Sequence, residues 1–192
     1  MLYRFQSSGR WLRGSHWPLL PMALFGEEEM SSVIRIADRE LSPSSLAIAF
    51  AAGFLAVLTF YEAVFLLFHI AGVIPVPPFS MRPMPPFGVP EFLSQAFWGG
   101  VWGILFLLIV PRYFSGIGYW LASAVIGGTA LTLAYMFLVV PLKTGALPRN
   151  MAGLFVIGWL LNAAWGIGWA LFLKLFDRIT RNRAASKFGR TN

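Results

Sequence analysis

Long apolar runs separated by short polar or proline-rich segments dominate the pattern along this chain. Four runs approach or exceed the roughly 18–20 residues that a helix needs to cross a bilayer; they cover about residues 46–73, 92–110, 119–140 and 151–176. Lipid offers no hydrogen-bond partner to an open backbone, so each run is expected to be helical. The pattern therefore predicts an all-α fold, an integral membrane four-helix bundle.

The composition narrows the class of protein further. The chain has 192 residues, of which 57% are hydrophobic and only 12% are charged, and its mean hydropathy is +0.68. Soluble domains carry roughly twice that share of charge. There is no cysteine and there are only two histidines, which excludes disulfides, thiolate metal sites and iron–sulfur clusters. We expect no metal and no other cofactor.

The distribution of lysine and arginine predicts the orientation of the chain in the membrane. Twelve of the 15 basic residues precede the first run, follow the second, or lie in the last turn of the fourth and beyond it. The loops after the first and third runs hold the other three: Arg82, Lys143 and Arg149. Basic residues stay in the cytoplasm, so both termini are predicted to be cytoplasmic, most simply in a bacterial inner membrane. The same arrangement argues against a nucleic-acid partner despite the net charge of +7.

The two ends of the chain carry separate expectations. Residues 1–41 form an N-terminal cytoplasmic segment, and residues 177–192 form a basic cytoplasmic tail that anchors at the membrane surface. Residues 1–29 lack the long apolar centre of a signal peptide. We expect translation to begin at Met30, so that residues 1–29 are not native. The alternative is a basic, tryptophan-bearing segment lying on the cytoplasmic leaflet.

Seven prolines stand among the sixteen residues 75–90, PVPPFSMRPMPPFGVP. Proline fixes φ and removes a backbone donor, so this proline-rich loop should be extended and poor in hydrogen bonds. Its apolar side chains (Phe79, Met81, Met84 and Phe87) should let it lie against the helix ends. We expect an ordered extracytoplasmic cap.

Two pairs of segments indicate an internal repeat. LTFYEAVFLLFHIAGVIP begins at residue 58 and LTLAYMFLVVPLKTGALP begins 73 residues later, while WGILFLL at 102 resembles WGIGWAL at 165. The pattern predicts two tandem helical hairpins. Both hairpins enter from the same side, so the repeat is parallel, with its axis along the membrane normal.

One ionisable side chain, Glu62, falls inside an apolar run, near mid-depth as the sequence reads. A charged side chain at the bilayer centre costs about 2.5–3.5 kcal/mol on insertion scales, so it usually faces the bundle interior with a partner. The polar side chains available to form a proton or solute site with it are Thr59, His69, Tyr135 and Asn162. His69 lies about 10 Å along the helix axis and cannot bond directly. The same carboxyl can instead be a structural group that fixes helix packing.

Small residues recur in the last three runs and predict close helix packing, within the chain or to a partner. They are Gly99, Gly100, Gly103, Gly127, Gly128, Gly158, Gly166 and Gly168. The runs contain no nucleophile–base pair, carboxylate dyad or phosphate loop, so enzyme activity is not expected.

Two functions are consistent with these features. The first is a small, non-enzymatic multi-pass protein, an accessory or scaffold subunit that packs through glycine-rich helix faces. Its partners would be the lipid bilayer and either further copies of itself or a larger membrane complex. The alternative is a proton- or small-solute-conducting transporter or channel subunit that uses Glu62 as its membrane-embedded ionisable site.

Overall fold

A computed structural model describes residues 42–188, with side chains as far as Thr180, and is mostly helical. The expectations for residues 1–41, including those for 1–29, and for residues 189–192 lie outside the described residues. Four helices are long and apolar enough to cross a membrane. This confirms the prediction of four long apolar helices, which are consistent with an integral membrane protein.

The four helices are α1 to α4. Helix α1 covers Pro43–Ile70 and α2 covers Glu91–Tyr113; α3 covers Gly116–Thr144 and α4 covers Met151–Phe188. Helix α1 contains a π-helical turn at Val57–Tyr61, and α3 contains two, at Gly127–Leu131 and Tyr135–Val139.

Local sequence explains where α1 begins and ends. The Ser42 hydroxyl accepts the backbone N–H of Ser45 at 3.2 Å, and Pro43 occupies the first helical position. Both residues are favoured at these places because the first helical N–H groups have no partner within the helix. Gly72, in the left-handed conformation with φ 72°, follows the helix end, where glycine adopts this conformation without steric cost.

Helices α2 and α3 pass through prolines that the apolar pattern had placed at their ends. Helix α2 continues through Pro111 to Tyr113, and α3 continues through Pro141 to Thr144. Proline normally disrupts a helix because it lacks an N–H and crowds the preceding turn. In α3 the π-helical turn Tyr135–Val139 ends one residue before Pro141, a backbone adjustment of the kind that accompanies proline within helices.

Close backbone contacts hold the neighbouring helices together. Helices α1 and α2 run antiparallel, with Gly53 against Gly99 and Ala49 against Gly103. Helices α3 and α4 also run antiparallel and meet where Gly166 packs on the backbone of Ser123. Without a hydrophobic force between helices in lipid, such close approach supplies the packing energy.

Helix α4 joins the two antiparallel pairs. Its Trp165, which is fully buried, donates an indole N–H to the Gly53 carbonyl oxygen of α1 at 2.9 Å. The ring of Phe106 in α2 meets Trp165 and Trp169 edge-on, with centroids 5.1 and 5.5 Å apart. Helices α2 and α3 make few contacts with each other, so α1 and α4 form the centre of the arrangement.

The proline-rich loop contains the two described strands. Strand β1 (Pro83–Met84) pairs antiparallel with β2 (Val89–Pro90), with Met84 opposite Val89. The loop is bonded to the start of α2, because Glu91 donates its N–H to the Arg82 carbonyl at 2.9 Å. These contacts give the loop a defined conformation beside α2.

Candidate functional site

Glu62 is the first residue after the π-helical turn of α1, and only 4% of its surface is exposed. A π-helical turn contains one more residue than an α-helical turn and changes the direction of the side chains that follow it. Such turns are often found at functional sites. The π-helical turn therefore helps to direct the Glu62 carboxyl toward the protein interior.

The partner of the Glu62 carboxyl is the backbone of the proline-rich loop. The Phe79 N–H donates to Glu62 Oε2 at 2.9 Å. Phe79 has φ 53°, an uncommon conformation for a residue with a side chain, and its ring packs edge-on against Phe92, with centroids 5.8 Å apart. Surrounding contacts must maintain a strained backbone of this kind. We call the Phe79–Glu62 hydrogen bond, with the Phe79–Phe92 contact, the loop latch.

The register of α1 and α2 gives the level of Glu62 in the bundle. Gly53 lies opposite Gly99, and the two helices run in opposite directions. Glu62 is nine residues after Gly53, so it lies opposite the residue nine before Gly99, which is Pro90, directly before α2. Consistently, the charges of Glu62 and Glu91 interact. Glu62 is therefore level with the start of α2. The apolar run had instead indicated a position near mid-depth. Helix α1 continues for eight more residues, about 12 Å.

Further polar groups lie near Glu62 at this level. Tyr61, which precedes Glu62 in the chain, lies near Tyr135 and Glu91. Arg82 Nη2 binds Glu91 Oε1 at 2.8 Å, and the arginine side chain is largely exposed. An exposed ion pair contributes about 0–1 kcal/mol, so this pair helps to position the loop but does not hold it alone.

Asn162 is separate from Glu62. Its amide Nδ2 donates to Thr132 Oγ1 at 3.0 Å, and its backbone packs on Gly127. Both neighbours lie one to two turns deeper along α3 than Tyr135, which is near the level of Glu62. The structure therefore does not bring Glu62 and Asn162 into hydrogen-bond contact, because the two side chains differ in depth.

The other three residues of the predicted set have their own surroundings. Thr59 Oγ1 donates to the Leu55 carbonyl one turn back at 2.7 Å. His69 Nδ1 is 3.0 Å from the Ile74 carbonyl oxygen, which can only accept, so this ring nitrogen donates. Tyr135 is 47% exposed and approaches Tyr61. Of the predicted set, only Tyr135 lies in the same polar group as Glu62.

Sequence reasoning missed Phe79, Tyr61 and Glu91 as neighbours of Glu62. A backbone amide carries no residue-type signal, so the role of Phe79 is invisible in the sequence. Tyr61 precedes Glu62 directly, and Glu91 follows the last proline of the loop. Adjacency to Glu62, for Tyr61, and a position at the start of the second span, for Glu91, are signals that could have placed these two residues near the site.

The eight glycines singled out from the sequence all pack within the chain, each against another helix. Gly100 packs on the ring of Phe50, Gly128 on Trp159 and Gly158 on Thr132. Their small size is therefore used to bring the helices of one chain together.

Two shallow apolar grooves, of about 300 and 390 Å³, run along α3 and share Val125 and Ile126. Glu62 lines neither of them. Between residues 42 and 180, no group of three or more His, Cys, Asp or Glu side chains could hold a metal ion.

Comparison with known proteins returned no similarity: the chain matches no protein-family profile, no curated protein and no solved structure.

Proposed function

We propose that this chain is a non-enzymatic multi-pass membrane protein, an accessory or scaffold subunit, in which Glu62 is a structural group. The observation that carries this proposal is the loop latch: a nearly fully buried carboxyl accepts a hydrogen bond from the backbone of the proline-rich loop. A group that conducts protons or solute needs a path to water. Glu62 is instead covered and bonded within the protein.

The scaffold role implies a partner, either further copies of this chain or a larger membrane complex. Because the glycine faces are used inside the chain, the partner contact would use the outer helix surfaces. Gentle detergent extraction followed by identification of the co-purifying proteins tests this role. We expect a stable assembly larger than one chain. A detergent-solubilised protein that remains a monomer and retains no partner would contradict the scaffold role.

The alternative function, proton or small-solute conduction through Glu62, retains one supporting observation. Glu91 and Tyr61 lie near Glu62, and Tyr135 lies near Tyr61. Ionisable residues within membrane spans often mark ion pathways. Conduction requires Glu62 to gain and lose a proton. The structural role requires only a side-chain oxygen that accepts the Phe79 N–H.

Replacing Glu62 with Gln separates the two functions. The variant keeps a side-chain oxygen that can accept the Phe79 N–H, but it cannot titrate. We expect unchanged loop structure, and the same background proton flux from purified wild-type and E62Q protein in liposomes carrying a pH-sensitive dye. A flux in the wild type that E62Q abolishes would establish conduction and overturn the structural role. Asp177→Asn, which removes an exposed carboxyl near the C-terminal end of α4, is the matched control.

We also propose that α1–α2 and α3–α4 are a tandem parallel repeat. The helix boundaries support it: Ser115 precedes α3 as Ser42 precedes α1, 73 residues apart, and the left-handed glycines Gly72 and Gly145 have the same separation. The packing supports it as well. The contact of Gly103 with Ala49 has its counterpart in the contact of Gly166 with Ser123.

The proposed location is a bacterial inner membrane, with both termini in the cytoplasm and the proline-rich loop on the extracytoplasmic side as a cap. The distribution of basic residues supports this orientation. The loop latch supports the cap, because it fixes the loop against α1.

A further inference from the structure

We propose that the proline-rich loop is a membrane-interface element, with Met81 and Phe87 inserted at the boundary between lipid headgroups and acyl chains. This is a separate question from the function proposed above, since either function can accommodate a loop in lipid or in water. The proposal rests on one arrangement: the loop exposes apolar side chains and lies beside the apolar last turns of α1.

The outward surface of the loop is apolar. Met81 is 72% exposed and Phe87, in the turn between the two strands, is 86% exposed. Neither side chain packs on the helices as the sequence had indicated. Large apolar side chains presented together to the surroundings mark a contact with lipid or with another protein.

The level of the loop indicates lipid as the contact. The loop latch places Phe79 beside Glu62, at the start of α2, and Glu62–Ile70 of α1 continues past that level. Those last turns expose leucine and isoleucine side chains, and Ile70 is 73% exposed. The 23 residues of α2 extend about 35 Å, slightly more than the roughly 30 Å of the hydrocarbon core. The start of α2, and with it the level of Glu62 and Phe79, therefore falls near the boundary between acyl chains and headgroups.

The charges of the loop region suit the same environment. From residue 71 to residue 92 the ionisable side chains are Arg82 and Glu91, and these two form an ion pair at 2.8 Å. The segment therefore presents no net charge. Arginine near a membrane interface can also extend its guanidinium toward the headgroups.

The backbone chemistry of the loop also favours lipid. An unsatisfied backbone N–H is costly near the hydrocarbon region, and each proline removes one such donor. Of the remaining donors, the Phe79 N–H is bonded to Glu62, and the N–H of Gly88 to the Met84 carbonyl at 2.9 Å. Phe92, just after the loop, donates to the Ser80 carbonyl at 3.3 Å.

Substituted-cysteine labelling tests the proposal cleanly because the native chain has no cysteine. Single variants Phe87→Cys and Met81→Cys would be reconstituted in phosphatidylcholine vesicles and treated with a charged, water-soluble maleimide. The control is Arg149→Cys, an exposed position in the connection between α3 and α4 at the same end of the bundle. We expect both loop cysteines to react at least about tenfold more slowly than the control, because an apolar environment disfavours the reactive thiolate.

Two further arms decide what causes the protection. In denaturing detergent all three cysteines should react at equal rates, which excludes an intrinsic difference. Tenfold dilution of the protein with lipid should leave the protection unchanged. Loss of protection on dilution would mean that a second copy covers the loop, and labelling as fast as that of the control would place the loop in water. Either result overturns the proposal. Agreement between the two loop positions guards against a local effect of one substitution.

Discussion

Gly53→Leu should destabilise the folded bundle severely. The Gly53 backbone lies directly against the carbonyl oxygen of Gly99, so any side chain at this position overlaps main-chain atoms that cannot rotate away. Its carbonyl oxygen also accepts the Trp165 indole N–H, so separating α1 from α2 disturbs α4 as well. Overpacking typically costs about 1–3 kcal/mol, and a backbone contact places this variant at or above the upper end.

Thermal unfolding in mild detergent measures this effect. The matched control is Gly118→Leu, because Gly118 lies in α3, has no neighbouring atom within 4 Å of an added Cβ and has no positive φ. We expect Gly118→Leu to keep the wild-type midpoint and Gly53→Leu to lower it strongly or to prevent isolation of folded protein. Equal midpoints for the two variants would contradict the described packing of α1 on α2.

Glu62→Leu should release the proline-rich loop while leaving the helices formed. Leucine keeps much of the side-chain volume but removes the acceptor of the Phe79 N–H. The bond is part-buried, and leaving a buried donor without a partner costs about 1–3 kcal/mol, with a partly hydrated donor toward the lower end. Because Phe79 also has an unfavourable φ of 53°, the loop has little reason to retain this conformation without the bond.

Chymotrypsin cleavage after Phe79 measures the release. When opening is fast, cleavage tracks the population of the open loop, and 1.4 kcal/mol corresponds to about a tenfold change. We expect at least that increase for Glu62→Leu, none for Glu62→Gln, and unchanged helix content by circular dichroism for both. Accelerated cleavage in Glu62→Gln, or none in Glu62→Leu, would mean that the carboxyl does not hold the loop.

The helices were predictable because their signal is local. An apolar run of about twenty residues is sufficient to indicate a span. The ends at Pro111 and Pro141 were less predictable. Proline in the last turns of a helix is tolerated when the preceding backbone adjusts, as at the π-helical turn before Pro141, and no residue type signals that adjustment.

The candidate site was only partly predictable, for a different reason. An acid in an apolar run identifies Glu62 as a residue that needs a partner. The depth of that residue depends on the register between α1 and α2, which the backbone contact between Gly53 and Gly99 sets. The partner itself is a main-chain N–H, seventeen residues further along the chain. Side-chain chemistry therefore indicated Asn162, which the register of α3 and α4 places deeper.

The role of the glycines was also only partly predictable from the sequence. Their spacing indicated close helix contacts, but the sequence did not distinguish contacts within one chain from contacts between chains. In the structure Gly127 and Gly166 pack on each other, and Gly103 packs on Ala49. The surfaces that remain for a partner are those of larger apolar side chains, which lipid also covers.

Hydrogen–deuterium exchange of the Phe79 amide tests the loop latch most directly, since that N–H is the group bonded to Glu62. In detergent-solubilised protein we predict slow exchange of this amide in the wild type and in Glu62→Gln, and fast exchange in Glu62→Leu. Equal, fast exchange in all three proteins would contradict the assignment of Glu62 as the residue that holds the loop.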